Sequence, residues 1–348
     1  MKRTFFAFFC LLFFLACEKK SPATADQRTI VSPNLSYGID NQMLCLQSGK
    51  FTYEIPREKL PLKKVVLLNA SLVGYFTELD LEDRIVGISS PGFVYSPKIQ
   101  QKVSSGAVAD VGNEQKYNVE KIVALKPDAI FTNYISTFEN TYELIRQQGI
   151  EIIFLDEYLE HQPLDKTRYL LLFGELFDQQ EKAAVRYEQI ASNYNDLKKT
   201  AATAKMQPVV LANEMYGNQW YLPGGKSLLA NMLKDANADY INANSPEKGA
   251  TPMSFEEVAA KSKHAKFWVN VGNQSSRKNM LQINPNYQQL PVFREGKLYS
   301  VSGREKERSN DYFESGVVRA DVLLQDYVLI FHPELLPGTE LTYLQEIP

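Results

Sequence analysis

The chain has only three cysteines among its 348 residues, and this scarcity excludes a disulfide framework. Cys10 and Cys17 belong to an apolar N-terminal leader, which leaves Cys45 without a partner in the same chain. A metal site built from several thiolates is excluded for the same reason.

Histidine is equally scarce, with three copies in the whole sequence. None has a second histidine or a cysteine at the spacing that zinc sites use, since they stand at His161, His264 and His332. We therefore predict no metal-ligand cluster and no resident cofactor. A single histidine or tyrosine bond to haem iron stays open.

An excess of positive charge is also missing. Without the two cations of the leader, 36 Lys and Arg stand against 41 Asp and Glu, a net charge near −5. A nucleic-acid-binding domain would show a clustered basic face, so we exclude nucleic acid as a partner.

Two sequence motifs that mark enzyme sites are also absent. No nucleophile elbow is present, and the run Gly224-Gly225-Lys226-Ser227 has Trp220 where a phosphate-binding loop needs glycine.

Residues 1–17 have the charge pattern of an export signal. Lys2 and Arg3 precede an apolar run from Phe5 to Ala16, which is too short to cross a bilayer because that takes about 20 apolar residues. The run ends in Leu-Ala-Cys17, which resembles a bacterial lipobox, where the cysteine is lipidated and becomes the new N-terminus. An ordinary secretory signal is the alternative. Residues 18–28 are small and polar, as in a flexible tether.

After the tether, two groups of short apolar runs are separated by helical stretches. Runs without polar alternation are typical of parallel strands that are covered on both faces. The predicted strands are 65–68, 85–88, 129–131 and 152–155 in the first group, and 209–212, 267–269 and 298–301 in the second. We therefore predict an α/β fold of two Rossmann-like lobes, 29–165 and 207–348, with a connecting region at 166–206.

The connecting region is predicted to contain one long, rigid helix that joins the lobes. The segment from Gln180 to Lys205 has no glycine or proline, and its apolar residues recur on one helix face at Ala183, Tyr187, Ile190, Tyr194 and Leu197. At about 1.5 Å per residue the helix would be about 37 Å long, enough to reach from one lobe to the other. Such a connection permits only small hinge motions.

The two lobes share an internal repeat without gaps. Residues 118–131 align with residues 254–267, and each copy reads as a capping residue, a short helix and a buried strand. Asn118 and Ser254 are suited to accept hydrogen bonds from the first helical turn, and Ser254 with Glu257 matches a capping box.

Glu120 and Glu256 occupy the same position in the two copies. The simple interpretation is that each carboxylate complements the positive end of its helix. The alternative is that two equivalent acidic points, one on each lobe, face a partner with two basic pockets.

Several segments stand in a characteristic order along the chain. The first lobe has LDLEDRIVGIS at 79–89, DVG at 110–112 and NVEKIVALKPD at 118–128, and the second has LPGGKSLL at 222–229, SFEEV at 254–258 and PVFREGKLY at 291–299. This order resembles the class III substrate-binding proteins of ABC importers, which serve siderophores, haem and cobalamin. The resemblance extends from about Lys63 to Glu334.

The resemblance implies that Glu120 and Glu256 pair with arginines of a permease, which favours docking over helix capping alone. It also implies that a ligand lies between the lobes, against the loops that follow the strands. Those loops are rich in rings, which cover large chelate faces, and in arginines, which match anionic oxygens. The predicted ligand-binding residues are Tyr95, Tyr117, Tyr134, Trp220, Tyr221, Arg304, Arg308, Asp311, Tyr312 and Glu314. We expect some of these rings to lie in the hydrophobic core rather than against the ligand.

These features predict a monomeric lipoprotein that faces the periplasm and is held to a membrane through Cys17. It would capture a metal chelate, a ferric siderophore first and haem or cobalamin next, and deliver it to an inner-membrane ABC permease without catalysis. Two alternatives remain open. One is a chelatase-like surface enzyme, with Glu314, Asp311 and His264 as candidate acids or bases, and the other is a haemophore lipoprotein that works without a permease.

Overall fold

The computed structural model describes residues 28–348, so the leader, Cys17 and nearly all of the tether lie outside the described residues. The described part begins with an antiparallel four-stranded sheet that was not predicted. Its strands are β1 (Thr29–Ser32), β2 (Leu35–Asp40), β3 (Met43–Ser48) and β4 (Phe51–Pro56). Burial alternates along β3, with Leu44 and Leu46 fully buried, so one face of this sheet covers the first lobe.

The N-lobe is built on a five-stranded parallel sheet in the order β11-β10-β5-β6-β7. The strands are β5 (Val65–Leu67), β6 (Ile85–Ile88), β7 (Ala109–Asp110), the small hairpin β8 (Gly112–Asn113) and β9 (Lys116–Tyr117), β10 (Ala129–Thr132) and β11 (Glu151–Phe154). The helices are α1 (Val73–Glu78), α2 (Pro97–Ser104), α3 (Val119–Leu125) and α4 (Glu139–Arg146). The central strands carry almost only buried residues, as expected for a sheet covered on both faces.

Two helices follow the N-lobe sheet, α5 (Pro163–Leu176) and α6 (Gln180–Ala201). Helix α5 belongs to the N-lobe, because Tyr169 and Phe173 are buried in the N-lobe core. Helix α6 is the connection. Ile190 is buried in the N-lobe core, whereas Tyr194 is buried in the C-lobe core one turn later. The predicted connecting helix is therefore present, but it ends at Ala201, and the separate connector is shorter than 166–206.

The C-lobe is also built on a five-stranded sheet, in the order β15-β12-β17-β18-β21, in which only β21 is antiparallel. Its strands and small hairpins are β12 (Val209–Ala212), β13 (Met215–Tyr216), β14 (Gln219–Pro223), β15 (Asp239–Tyr240), β16 (Ala250–Met253), β17 (Phe267–Val269), β18 (Lys297–Ser300), β19 (Glu305–Lys306), β20 (Ser309–Asn310) and β21 (Gln345–Ile347). The helices are α7 (Leu228–Asp235), α8 (Phe255–Lys261), α9 (Arg277–Ile283), α10 (Pro291–Glu295), α11 (Ser315–Val318) and α12 (Ala320–Phe331).

The internal repeat appears as α3 followed by β10 and as α8 followed by β17. Asn118 accepts a hydrogen bond from the Lys121 amide at 2.9 Å, and Ser254 and Glu257 form the predicted capping box. Within residues 28–348, no helix is long and apolar enough to cross a membrane.

Candidate functional site

Each sheet has a point where the chain changes direction across the strand order. In the N-lobe the chain runs from β5 towards β7 and then returns to β10 on the other side of β5. Loops that leave two such strands part in opposite directions, and the resulting crevice at the carboxyl ends is where α/β sheets bind ligands. Asn69 follows β5 and Asn133 follows β10, and the Asn69 side-chain amide donates a hydrogen bond to the Asn133 side-chain oxygen.

A cleft of about 660 Å³ lies between the lobes at this edge of both sheets. Its volume is within the range of about 300–1,000 Å³ that is common for small-molecule sites. The N-lobe lining is Asn69, Ala70, Ser71, Phe93, Asn133, Glu157, Tyr158 and Lys166. The C-lobe lining is Gly272, Asn273, Val301, Glu305, Arg308, Asn310, Phe313, Glu314 and Val317.

The N-lobe side of the cleft has a polar floor around the buried carboxyl group of Glu157. Ser71 Oγ donates to one oxygen of Glu157 at 2.8 Å, and Asn133 Nδ2 donates to the other at 3.0 Å. Burial raises the pKa of Glu157 above its ordinary value, while Lys166 and these two donors act in the opposite direction. Both carboxylate oxygens are thus held by the protein.

Lys166 lies on the first turn of α5 and lines the same floor. Its ammonium group forms no hydrogen bond or ion pair with any of residues 28–348. Burial lowers the pKa of Lys166, and the nearby carboxylates of Glu157 and Glu160 partly offset this effect. Lys166 is therefore a partly buried cation with unused donors at the cleft surface.

The C-lobe side is formed by the hairpin of β19 and β20, which reaches towards the N-lobe loop after β6. The guanidinium of Arg308 lies 4.4 Å from the centre of the Phe93 ring, and that of Arg304 lies 5.2 Å from the Tyr95 ring. Cations over rings at these distances attract the ring face. The hairpin therefore contacts the opposite lobe through two arginine-aromatic pairs.

Glu314 joins the segment that follows the C-lobe hairpin to the N-lobe, and Val318 of that segment is buried in the N-lobe core. Its carboxylate accepts hydrogen bonds from the backbone amides of Tyr95 at 2.6 Å and Ser96 at 2.9 Å. Burial outweighs these bonds and raises the pKa of Glu314 to about 7. The backbone at Glu314 packs closely on α1. A side chain at Gly74 would therefore collide with the Glu314 carbonyl oxygen.

Two of the predicted ligand-binding residues line this cleft, and four others are not lining residues but stand within two positions of one in the sequence. Arg308 and Glu314 line it, and Tyr95 and Arg304 form the ring contact at its C-lobe hairpin. Asp311 is buried and forms an ion pair with Arg304 at 3.1 Å. The sixth is Tyr312, adjacent to the lining residue Phe313 in sequence; its hydroxyl accepts a hydrogen bond from the side chain of Asn270 at 2.8 Å.

The other four predicted residues lie elsewhere. Trp220 is fully buried in the C-lobe core, 5.3 Å from the Trp268 ring, so it is not an exposed ligand contact. Tyr117 is 4% exposed and lies in the N-lobe core, so it is a core residue rather than the predicted ligand contact. Tyr134 packs on Phe51, and Tyr221 is exposed on β14 but does not line the cleft.

Most of the polar floor was not predicted from the sequence. Ser71, Glu157 and Lys166 were not among the predicted site residues, although the first two follow the strand ends at 65–67 and 151–154. Strand-end position was therefore the usable signal. No comparable signal marks Lys166, since a lysine in the first turn of a helix is ordinarily solvated.

The residues of the enzyme alternative are not assembled into one acid-base site. Both oxygens of Glu314 accept backbone hydrogen bonds, Asp311 is paired with Arg304, and His264 is exposed outside the cleft lining. Among the described residues, no group of three or more potential metal ligands is found.

The two repeated glutamates, Glu120 and Glu256, are exposed in the first turns of α3 and α8. Each helix precedes a strand of a parallel sheet and runs opposite to it. Both helices therefore begin at the carboxyl edge of their sheets, which is the edge that carries the cleft.

Residues 65–304 match the periplasmic binding protein family, and the chain belongs to that family. It is a solute-binding protein of the type associated with ABC transporters. A relative described as an uncharacterised lipoprotein of Methanocaldococcus jannaschii is 23% identical over 80% of this chain and 67% of its own length.

Solved structures agree with the fold. A periplasmic haem-binding protein of Pseudomonas aeruginosa has a TM-score of 0.60 at 17% identity, covering 82% of this chain and 98% of its own. CeuE of Helicobacter pylori with Ni(II) bound has a TM-score of 0.60 at 16% identity, covering 81% and 87%. At this identity the likeness shows the two-lobed fold, and the family and these neighbours are binding proteins.

Proposed function

We propose that the chain captures a metal chelate in the cleft between its lobes and delivers it to an ABC permease. The observation that carries this proposal is the cleft itself, which combines exposed rings from both lobes with a polar floor. Phe93 is 45% exposed and Phe313 is 58% exposed. Exposed rings of this size suit the broad faces of a ferric siderophore first, and of haem or cobalamin next. The chelate is cargo, and we propose no resident cofactor.

The proposal is tested by titrating the purified chain with ferric siderophores, haem and cobalamin, with calorimetry and absorption as readouts. At least one chelate should bind at micromolar concentration or better. The double variant Phe93→Ala with Phe313→Ala should weaken that binding by about tenfold, because it removes the exposed rings. Tyr216→Ala is the matched control, since that ring is 82% exposed outside the cleft. No response to the whole panel would overturn the proposal.

We propose further that Glu120 and Glu256 orient the protein on the permease and that the chain is held to the membrane through Cys17. Paired charges at an interface act mainly on orientation and association rate. Reversing both glutamates to arginine should abolish chelate uptake in cells without changing chelate affinity. Reversing Glu181 and Glu188, two exposed glutamates of α6, makes the same charge change and should leave uptake intact. Uptake that survives the first pair of reversals would favour the permease-independent haemophore.

A further inference from the structure

The floor of the cleft contains one charged group whose bonding capacity the protein leaves unused. Glu157 is enclosed: its two oxygens accept from Ser71 and Asn133 at 2.8 and 3.0 Å. The ammonium of Lys166 has three donors and no hydrogen-bond or ion-pair partner among residues 28–348. Lys166 lines the cleft, so its unused donors are open to an oxygen of a molecule that enters from outside the chain.

We propose that Lys166 binds an anionic oxygen of the ligand, and that the cargo therefore carries a carboxylate, catecholate or similar group at its N-lobe end. This inference rests on the proposed function and narrows its substrate class to anionic chelates. Lys166 lines the cleft beside Asn69 and Ser71, so a ligand that reaches the floor meets its ammonium. A charged donor in a partly buried site forms a stronger hydrogen bond than a neutral one.

The position of Lys166 is fixed by its surroundings. Its backbone carbonyl accepts a hydrogen bond from the Tyr75 hydroxyl at 2.9 Å, and the next residue, Thr167, donates to the Val318 carbonyl at 2.7 Å. The first turn of α5 is therefore held to α1 on one side and to α11 on the other. This holds the backbone of Lys166 at the cleft floor.

The opposing interpretation is that Lys166 only balances the charge of Glu157. The two interpretations differ in what they predict for substitutions. A pure counter-ion would make Lys166→Met and Glu157→Gln similar in their small effect on ligand affinity. If Lys166 anchors the ligand, the two substitutions should change ligand affinity in opposite directions. Lys166→Met should lower it, and Glu157→Gln should raise it because Lys166 then acts on the ligand alone.

The test measures the affinity of the purified chain for four probes: haem, its dimethyl ester, a trianionic ferric tris-catecholate and a neutral ferric tris-hydroxamate. The wild type should prefer the anionic member of each pair. Lys166→Met should lower affinity for the anionic probes by about 10- to 100-fold and for the neutral probes by less than about threefold. Lys166→Arg should keep the preference, and Glu157→Gln should strengthen it. Lys199→Met, on the exposed end of α6, is the matched control.

The outcomes separate this inference from the proposed function. If the wild type binds the probes and Lys166→Met weakens the binding of anionic and neutral probes equally, or weakens neither, Lys166 is not a ligand anchor. The chelate-binding function would still stand in that case. A wild-type preference for the neutral members also overturns the anchor. If the wild type binds none of the four probes, the result counts against both the anchor and the chelate-binding function. Melting temperatures of each variant report whether a loss of affinity is only a loss of folding.

Discussion

Both lobes are built on a mostly parallel five-stranded sheet, but the strand orders differ and the two carboxyl edges are used differently. In the N-lobe, the strand-end residues around Glu157 leave Lys166 open towards the cleft. In the C-lobe, Asn270 after β17 donates to the Tyr312 hydroxyl at 2.8 Å and accepts from the Tyr327 hydroxyl at 2.6 Å. The Asn270 side chain is thus satisfied within the C-lobe, and this lobe reaches the cleft through the strand-end residues Gly272, Asn273 and Val301, the hairpin and the segment that follows it. Similar architecture does not imply equivalent chemistry.

The largest change in stability should distinguish a buried ring of the C-lobe core from the exposed ring that follows it on β14. Trp220→Ala should lower the free energy of unfolding by about 3–5 kcal/mol, because it opens a cavity in the C-lobe core. Tyr221→Ala, one residue later and 43% exposed, should change it by less than about 0.5 kcal/mol. Denaturant unfolding of both variants checks this. Equal effects would contradict the assignment of Trp220 to the core.

The next effect concerns the contact between the lobes at Glu314. Because burial raises its pKa from 4.5 to about 7, the native state binds more protons than the unfolded state between these values. The contribution of Glu314 to stability is therefore fully present below about pH 4.5 and is lost as the pH rises through 7.

The free energy of unfolding, measured at pH 5 and pH 8, tests this direction of the pH dependence. The decrease from pH 5 to pH 8 should be larger in the wild type than in Glu314→Gln by about 2–3 kcal/mol, an order-of-magnitude value. The comparison with the variant is needed because burial also raises the pKa of Asp326, to about 6. Equal decreases in the two proteins would show that Glu314 does not titrate in this range.

A smaller effect distinguishes the two arginines of the C-lobe hairpin. Arg304→Ala leaves the buried carboxylate of Asp311 without its ion pair and should lower stability by about 1–2 kcal/mol. Arg308→Ala should lower it by less than about 0.5 kcal/mol, since Arg308 contacts the Phe93 ring and no carboxylate. Thermal unfolding of the two variants gives the comparison, and a larger loss for Arg308→Ala would contradict it.

The smallest effect tests whether the lobes are equivalent where their sequences repeat. Asn118→Ala and Ser254→Ala should each lower stability by about 1 kcal/mol, because each removes a side-chain acceptor at a helix N-terminus. The Ser254 change also disrupts a reciprocal capping box, so it should be at least as damaging as the Asn118 change. Chemical denaturation measures both.

Much of the fold followed from local patterns in the sequence. The buried runs at 85–88, 209–212 and 267–269 coincide with β6, β12 and β17, because uninterrupted apolar runs are specific to covered parallel strands. The N-terminal sheet was missed although Met43–Ser48 alternates in burial. Its strands carry polar residues on one face, and such an alternating pattern is a weaker sequence signal than a continuous apolar run.

The site was predicted less completely, for a physical reason. A ring after a strand has the same local sequence whether it turns into the core, as Trp220 does, or into the cleft, as Phe93 does. The choice depends on packing against residues far away in the chain. Lys166 shows the same limit, because its first-turn position becomes a cleft position only when α11 and α1 pack on either side.

The most direct test of the central claim is a crystal structure of the chain with a chelate that it binds. We expect the chelate to lie between the lobes, with its broad face against Phe93 and Phe313 and an anionic oxygen within hydrogen-bond distance of Lys166 Nζ. A chelate bound on the outer surface of either lobe, with the cleft unchanged, would contradict it.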